Sequence, residues 1–231
     1  MYIIGKNSVK EYLKTNKKIN KILISKNFND KNIISDLEKL KIEINYVSNF
    51  ELEKIDNKKN QGIILDVPNF QYSELEEVLN KENPFLVILD HLQDPHNFGA
   101  IIRTCEAAGV DAIIIPKDRS VDVNSTVMKT SVGALNNIKI VKVTNLNNTI
   151  RKLKEKNIWI IGSDMEKSTN YNEMKYDMAV ALIIGSEGIG LSKKTKEICD
   201  FIISIPMKGK INSLNASVAA GILIYKINEY R

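Results

Sequence analysis

The chain has 231 residues, of which 43% are hydrophobic and 26% charged, and its formal net charge is +5. That length suffices for a sizeable core in one large domain or two small ones. With no run of about 18 apolar residues, no basic segment leading into a hydrophobic N-terminus, and two cysteines without CxxC spacing, neither a membrane span, a secretory leader, a disulfide framework nor a zinc ribbon is expected, and the cytoplasm is the expected compartment.

The first third of the chain is the basic part. Residues 1–70 hold 13 lysines and no arginine against 9 acidic residues, which is +4 of the total charge. A basic surface attracts phosphates, so this segment is a candidate RNA-docking unit; a compositional bias toward Lys, Asn and Ile would give the same count. Its pattern reads in order as a helix over 7–14 capped by Asn7, a strand over 19–25, an amphipathic helix over 30–40, a strand over 42–47, a short helix over 50–55 and a buried strand over 62–67. This makes an α/β domain over residues 1–70. Pro68 and Pro84 bracket a polar stretch with one helix over 73–79, so residues 71–83 read as a linker.

Residues 84–231 alternate strand and helix. Apolar runs at 85–89, 112–115, 138–143, 158–162, 180–184 and 201–205 lack a polar face, as strands of a parallel sheet buried on both sides do. The expected fold is therefore α/β, a mostly parallel sheet with active loops beyond the strand C-termini.

Three segments place Gly, Asn, Ser or Pro where a strand stops or a helix begins: Asp-Pro-His-Asn-Phe-Gly-Ala-Ile-Ile-Arg at 94–103, Ile-Gly-Ser-Glu-Gly-Ile-Gly at 184–190, and Ile-Pro-Met-Lys-Gly-Lys-Ile-Asn-Ser-Leu-Asn-Ala-Ser-Val-Ala at 205–219. In the first, Asn97 sits at a helix start where its amide can cap the backbone. Ile101, Cys105 and Ala108 share one face of that helix, while Arg103 points almost the opposite way among small neighbours. An ordinary capped helix with a surface arginine has the same pattern. In the second, Gly185, Gly188 and Gly190 have neither the dinucleotide spacing nor a following Lys-Ser/Thr, so the loop reads as one whose glycines allow close backbone approach. Glu187 is its sole carboxylate, either an anchor for another loop or a direct participant. The third leads into a helix from Ala216 to Tyr225 that is apolar or small nearly all round, which suits a buried helix, a subunit interface, or both. His91 and His96 lack a third ligand and make no metal site.

Together these segments resemble the SPOUT superfamily of methyltransferases, specifically the bacterial ribose 2′-O-methyltransferases of the TrmH/SpoU branch, and within it enzymes that modify a guanosine of 23S ribosomal RNA. The likeness extends to Gly5-Lys6-Asn7-Ser8-Val9, Asn60-Gln61-Gly62, Pro116-Lys117-Asp118-Arg119-Ser120 and Val143-Thr144-Asn145-Leu146, and so covers essentially the whole chain. It implies a small ribosomal-protein-like RNA-binding domain followed by a SPOUT domain with a deep trefoil knot. It also implies S-adenosylmethionine as cofactor, held by Gly185, Ile205, Met207, Ser213 and Leu214, a homodimer through the C-terminal domain, and Arg103, Asn97, Glu187, Ser213 and Asn215 as the residues of catalysis. Arg103 is expected to position an RNA phosphate and stabilise the developing alkoxide, since a guanidinium is a poor base. Transfer RNA as the substrate of the same chemistry and a noncatalytic, RNA-binding ribosome-assembly factor are the alternatives.

Overall fold

The computed structural model describes every residue except 16, 57–59, 167, 187 and 189. In chain order the elements are β1 (Tyr2–Ile4), α1 (Lys6–Leu13), β2 (Lys21–Ser25), α2 (Lys31–Glu38), β3 (Ile44–Val47), α3 (Asn49–Ile55), β4 (Ile63–Asp66), α4 (Glu76–Leu79), β5 (Phe85–Asp90), α5 (Pro95–Ala107), β6 (Ala112–Pro116) and α6 (Ser125–Thr130). A 3₁₀ turn (Ala134–Asn136) precedes β7 (Lys139–Val143), α7 (Leu146–Glu155), β8 (Trp159–Ser163), β9 (Thr169–Asn170), β10 (Val180–Gly185), α8 (Lys193–Ile198), β11 (Phe201–Ser204) and α9 (Ala216–Asn228). The chain divides into two compact units, one of Met1–Gln71 with Val123–Asn136, the other of Tyr72–Asp122 with Asn137–Arg231.

The first unit is built on a four-stranded sheet in the order β1-β4-β2-β3, in which only β2 and β3 run parallel. Ile22, Ile24, Ile63 and Leu65 face α1 and α2, while Leu23 and Ile64 face Leu52 of α3, because alternate residues of a strand point to opposite faces. Met128 of α6 packs against the first of these clusters. The helix starts are chemically marked. Asp30 accepts from the Ile33 N–H ahead of α2, and Ser48 with Glu51 closes a capping box on α3. Helix α1 departs from expectation. It begins one residue before Asn7, after Gly5 at φ 84°, and no side chain caps it.

The second unit carries a seven-stranded sheet in the order β7-β6-β5-β10-β8-β11-β9 with every pairing parallel. Leu86, Ile88, Ile114, Ile160 and Ile183 pack on one face with Ile150 and Leu153 of α7. The alternate residues Val87, Ile113, Ile161 and Leu182 are equally buried on the other face, where α5 and α9 lie against each other. Double burial is why these strands read as continuous apolar runs. The stretch 71–83 contributes to the sheet edge. Its helix is one turn, α4, and Ser73 instead bridges to Val141, donating its N–H to Ile140. Among the described residues no helix is long and apolar enough to cross a membrane.

From β5 the chain moves outward to β6 and β7, then crosses to β8 and returns to place β10 between β5 and β8. Strands β5 and β10 thus meet at a switch in strand order, where open parallel sheets leave a crevice beyond the strand ends. Asp90 and Gly185 are paired at that edge.

The start of α5 corrects a sequence expectation. Asp94, not Asn97, is its N-cap, accepting the Asn97 N–H at 2.7 Å with Pro95 in the first turn. Replacing Asp94 by Ala is therefore expected to cost about 1 kcal/mol of unfolding free energy, the usual worth of a side-chain cap. Denaturant titration measures it, and an unchanged midpoint would contradict the assignment.

Candidate active site

Strands β8, β10 and β11 end side by side, and the loops that follow them form the walls of a cavity of about 480 Å³. Gly185, Ile205, Met207, Ser213 and Leu214, expected to hold a cofactor, all line it, as does Asn215. Apolar side chains supply one wall, with Ile184, Ile205, Met207, Leu214 and Ala219. Ser163, Ser186, Ser204 and Asn212 add polar groups. An apolar cleft with a few polar groups at a strand switch is the usual form of a small-molecule site.

The glycines of the loop after β10 have unequal tasks. A Cβ on Gly185 would lie 2.3 Å from the carbonyl carbon of Gly190, so the room left at Gly185 is taken by the chain's own return. Gly188 and Gly190 adopt φ 79° and 70°, a region that L side chains rarely enter. Glu187 lies outside the described residues.

Two carboxylates that the sequence reading passed over hold the returning chain from either side. Asp90, 2% exposed at the end of β5, accepts from the Thr195 hydroxyl at 2.9 Å and from the Ser192 N–H at 3.4 Å, and its other oxygen is hydrogen-bonded to His91. Asp164, just beyond β8, accepts the Glu166 N–H at 3.0 Å and the Leu191 N–H at 3.4 Å and pairs with Lys196 at 2.9 Å. Burial alone would raise the Asp164 carboxyl, but these hydrogen bonds and the ammonium outweigh it and hold it below the usual carboxylate range. Its partner Lys196 is correspondingly raised by Glu166 and Asp164. The available signal was position: each Asp closes or directly follows a buried parallel strand.

The first and third sequence segments meet through one side-chain contact. The Asn215 Nδ2 donates to the Asn97 Oδ1 at 3.0 Å. The Asn215 Oδ1 meanwhile caps α9, accepting from the Ser217 N–H at 2.9 Å and the Val218 N–H at 3.4 Å, and it also accepts from the Ser217 hydroxyl. One amide thereby fixes where α9 starts and ties it to the first turn of α5.

Arg103 stands apart from this group. It is exposed on the outer face of α5, opposite the buried Ile101 and Cys105, and does not line the cavity. Helix α9 is buried on one side only. Ala220, Leu223, Ile224 and Ile227 are buried, while Val218 and Tyr225 remain about half exposed.

Comparison with known proteins gives this arrangement its relatives. Residues 84–225 match the SpoU rRNA Methylase family, and residues 2–73 match the family described as RNA 2′-O ribose methyltransferase substrate binding. The putative TrmH family tRNA/rRNA methyltransferase YacO of Bacillus subtilis is 41% identical over 238 residues, covering 100% of this chain and 96% of that one. Among solved structures, the SpoU methyltransferase AviRb from Streptomyces viridochromogenes, in complex with the cofactor AdoMet, superposes with a TM-score of 0.77 at 22% identity, over 99% of this chain and 89% of that one. An AdoMet-bound rRNA methyltransferase from Sinorhizobium meliloti does so with a TM-score of 0.77 at 24% identity, over 99% and 86%. With its parallel sheet, strand-end cavity and full-length likeness to these proteins, the chain belongs to the SpoU rRNA methylase family, the TrmH/SpoU group of methyltransferases.

Proposed function

We propose that this protein transfers a methyl group from S-adenosylmethionine to a ribose 2′-hydroxyl of RNA, at a guanosine of 23S ribosomal RNA. The observation that carries the reading is the cavity at the ends of β8, β10 and β11, on whose wall the second and third sequence segments meet. Its size and its pairing of an apolar wall with strand-end backbone groups suit an adenosine bearing a short polar chain. The AdoMet complexes of the two solved relatives support the same cofactor. A ribosomal substrate is supported by the separate N-terminal unit, which matches a substrate-binding family and carries most of the net positive charge.

S-adenosylmethionine, when bound, supplies an electrophilic methyl on a positively charged sulfur. The chain's own residues then have three tasks. Gly185, Ile205, Met207, Ser213 and Leu214 hold the cofactor, mainly by backbone, in a cleft that excludes bulk water. The Asn97–Asn215 pair fixes the two helix starts beside the reacting groups, so that hydroxyl and methyl meet in a near-attack geometry. Arg103 binds an RNA phosphate through its planar fork and stabilises the alkoxide that develops as the hydroxyl loses its proton; guanidinium groups keep their own proton near neutral pH.

A homodimer through the C-terminal domain belongs to the same reading. The exposed Val218 and Tyr225 of α9 give it an apolar contact face, and an Arg103 outside its own chain's cavity is free to serve a site completed by two subunits. The knotted path of the SPOUT domain and a catalytic part for Glu187 are included as well. Sedimentation is expected to give twice the 26.1 kDa of one chain, and a monomer at micromolar concentration would remove the dimer from the proposal.

Mapping 2′-O-methylation across ribosomal and transfer RNA in cells lacking the protein tests the substrate. Loss of one guanosine methylation in 23S RNA is expected, and loss confined to transfer RNA would overturn it. For the mechanism, Arg103→Ala and Arg103→Lys are each expected to lower kcat by about a hundredfold or more while S-adenosylmethionine affinity stays put. Near wild-type turnover by Arg103→Lys would show that a point charge suffices and that the planar fork has no part.

A further inference from the structure

A second cleft opens on the other side of the loop after β10. Two adjoining hollows, of about 370 and 180 Å³, share Asp90, His91, Arg119 and Ser192, and the larger also shares Ser186 and Gly190 with the cofactor cavity. Its walls come from the ends of β5, β6 and β7. Nothing in the reading of the three sequence segments uses it.

The cleft is built rather than incidental. His91 and Arg119 are both held at positive φ, 60° and 52°, a region that non-glycine residues enter rarely and that is found where surrounding structure enforces it. The enforcing contacts are visible. The Val121 N–H and the Ser120 hydroxyl both donate to the Leu92 carbonyl, lacing the loop after β6 to the loop after β5. Beneath them the buried Asp90 has both oxygens engaged, by His91 on one side and by Ser192 and Thr195 on the other. Arg119, by contrast, has neither an ion pair nor a hydrogen bond among the described residues. Its five donors face a preformed cleft with no partner supplied by the protein.

We propose that this cleft receives the base of the nucleotide to be methylated, and that Arg119 with Asp118 reads it as guanine. The inference rests on the methyltransferase reading above, because only a ribose at the cofactor cavity places its own base within reach of the adjoining hollow. The charge pattern chooses a base over a phosphate. Asp118 lines the same hollow as Arg119, and a carboxylate there repels a phosphate but accepts N–H groups. Guanine offers both halves of the match: acceptors O6 and N7 for the guanidinium, and the N1–H and N2–H donors of its Watson–Crick edge for the carboxylate. Adenine presents a donor where Arg119 needs an acceptor. RNA-modifying enzymes commonly take a splayed-out base by these edges.

The test uses the full chain loaded with S-adenosylmethionine and two probes, guanosine 5′-monophosphate and adenosine 5′-monophosphate, with binding followed by calorimetric titration. About a tenfold preference for the guanosine nucleotide is expected, abolished in Arg119→Ala and not restored in Arg119→Lys, which keeps the charge but not the fork. Asp118→Asn should weaken the preference as well, and a thermal melt of each variant checks its fold. Equal binding of the two nucleotides turns the cleft into a phosphate site and overturns the proposal, as does a preference that survives Arg119→Ala or is fully restored by Arg119→Lys. Methyl transfer to total RNA from cells lacking the protein separates this from the parent reading. If the wild type transfers methyl groups and Arg119→Ala does so equally well, the base site alone is wrong. If the wild type transfers none yet still prefers the guanosine nucleotide, the methyltransferase reading is wrong.

Discussion

At Gly185 the chain doubles back so closely that the position has no room for a Cβ, and the geometry of both clefts follows from that approach. The loop after β10 is a thin partition, with the cofactor cavity on one side and the Arg119 cleft on the other. A side chain at Gly185 would have to push the Gly190 backbone outward. The wall shared by the two clefts would move with it, and so would the hydrogen bonds that Ser192 and Leu191 make to the flanking carboxylates.

Those carboxylates show how a buried charge can be used structurally. An unpaired carboxyl group at 2% exposure would be costly, so Asp90 is stable only because the Thr195 hydroxyl, the Ser192 N–H and the His91 ring all hydrogen-bond to it. The same requirement fixes where α8 begins, since two of those donors are Ser192 and Thr195. Asp164 does the equivalent for the opposite flank through Lys196. The folded-state carboxyl of Asp164 is depressed, so its contribution is present above the ordinary carboxylate range and fades as acid titrates it through the lowered value. The partition is thus held between two carboxyl groups at the ends of β5 and β8, the strands on either side of β10.

Much of the second unit was legible because parallel strands covered on both faces leave uninterrupted apolar runs; all six major strands fall within two residues of where those runs end. The three-residue β1 was not, since it exists only by pairing with β4 some 60 residues later, and so short a segment has no period of its own. At α5 the cap lies three residues ahead of Asn97, the residue the pattern suggests for it. The Asp-Pro pair ahead of Asn97 carried the stronger signal, an acceptor at the cap followed by a proline in the first turn. Being released from capping α5 is what lets the Asn97 side chain reach Asn215, a contact between residues 118 positions apart that no local pattern contains. Which side of α9 stays exposed was illegible for a related reason. Small and apolar residues all round a helix do not say which neighbour covers each side, and Val218 and Tyr225 are left about half exposed.

The division of labour that emerges is spatial. Backbone at strand ends forms the larger cavity, side-chain amides lock the helices beside it, and in the proposed function the cations that meet RNA are Arg119 in its own cleft and Arg103 on an open helix face. The central claim is that the cavity behind Gly185 holds S-adenosylmethionine, and calorimetric titration of that cofactor into the wild type and into Gly185→Ala tests it most directly. The account predicts one site per chain in the wild type and at least about a tenfold weaker site in Gly185→Ala with the fold retained, because the added methyl displaces the wall rather than the core. No binding to the wild type, or equal affinity in a folded Gly185→Ala, would contradict it.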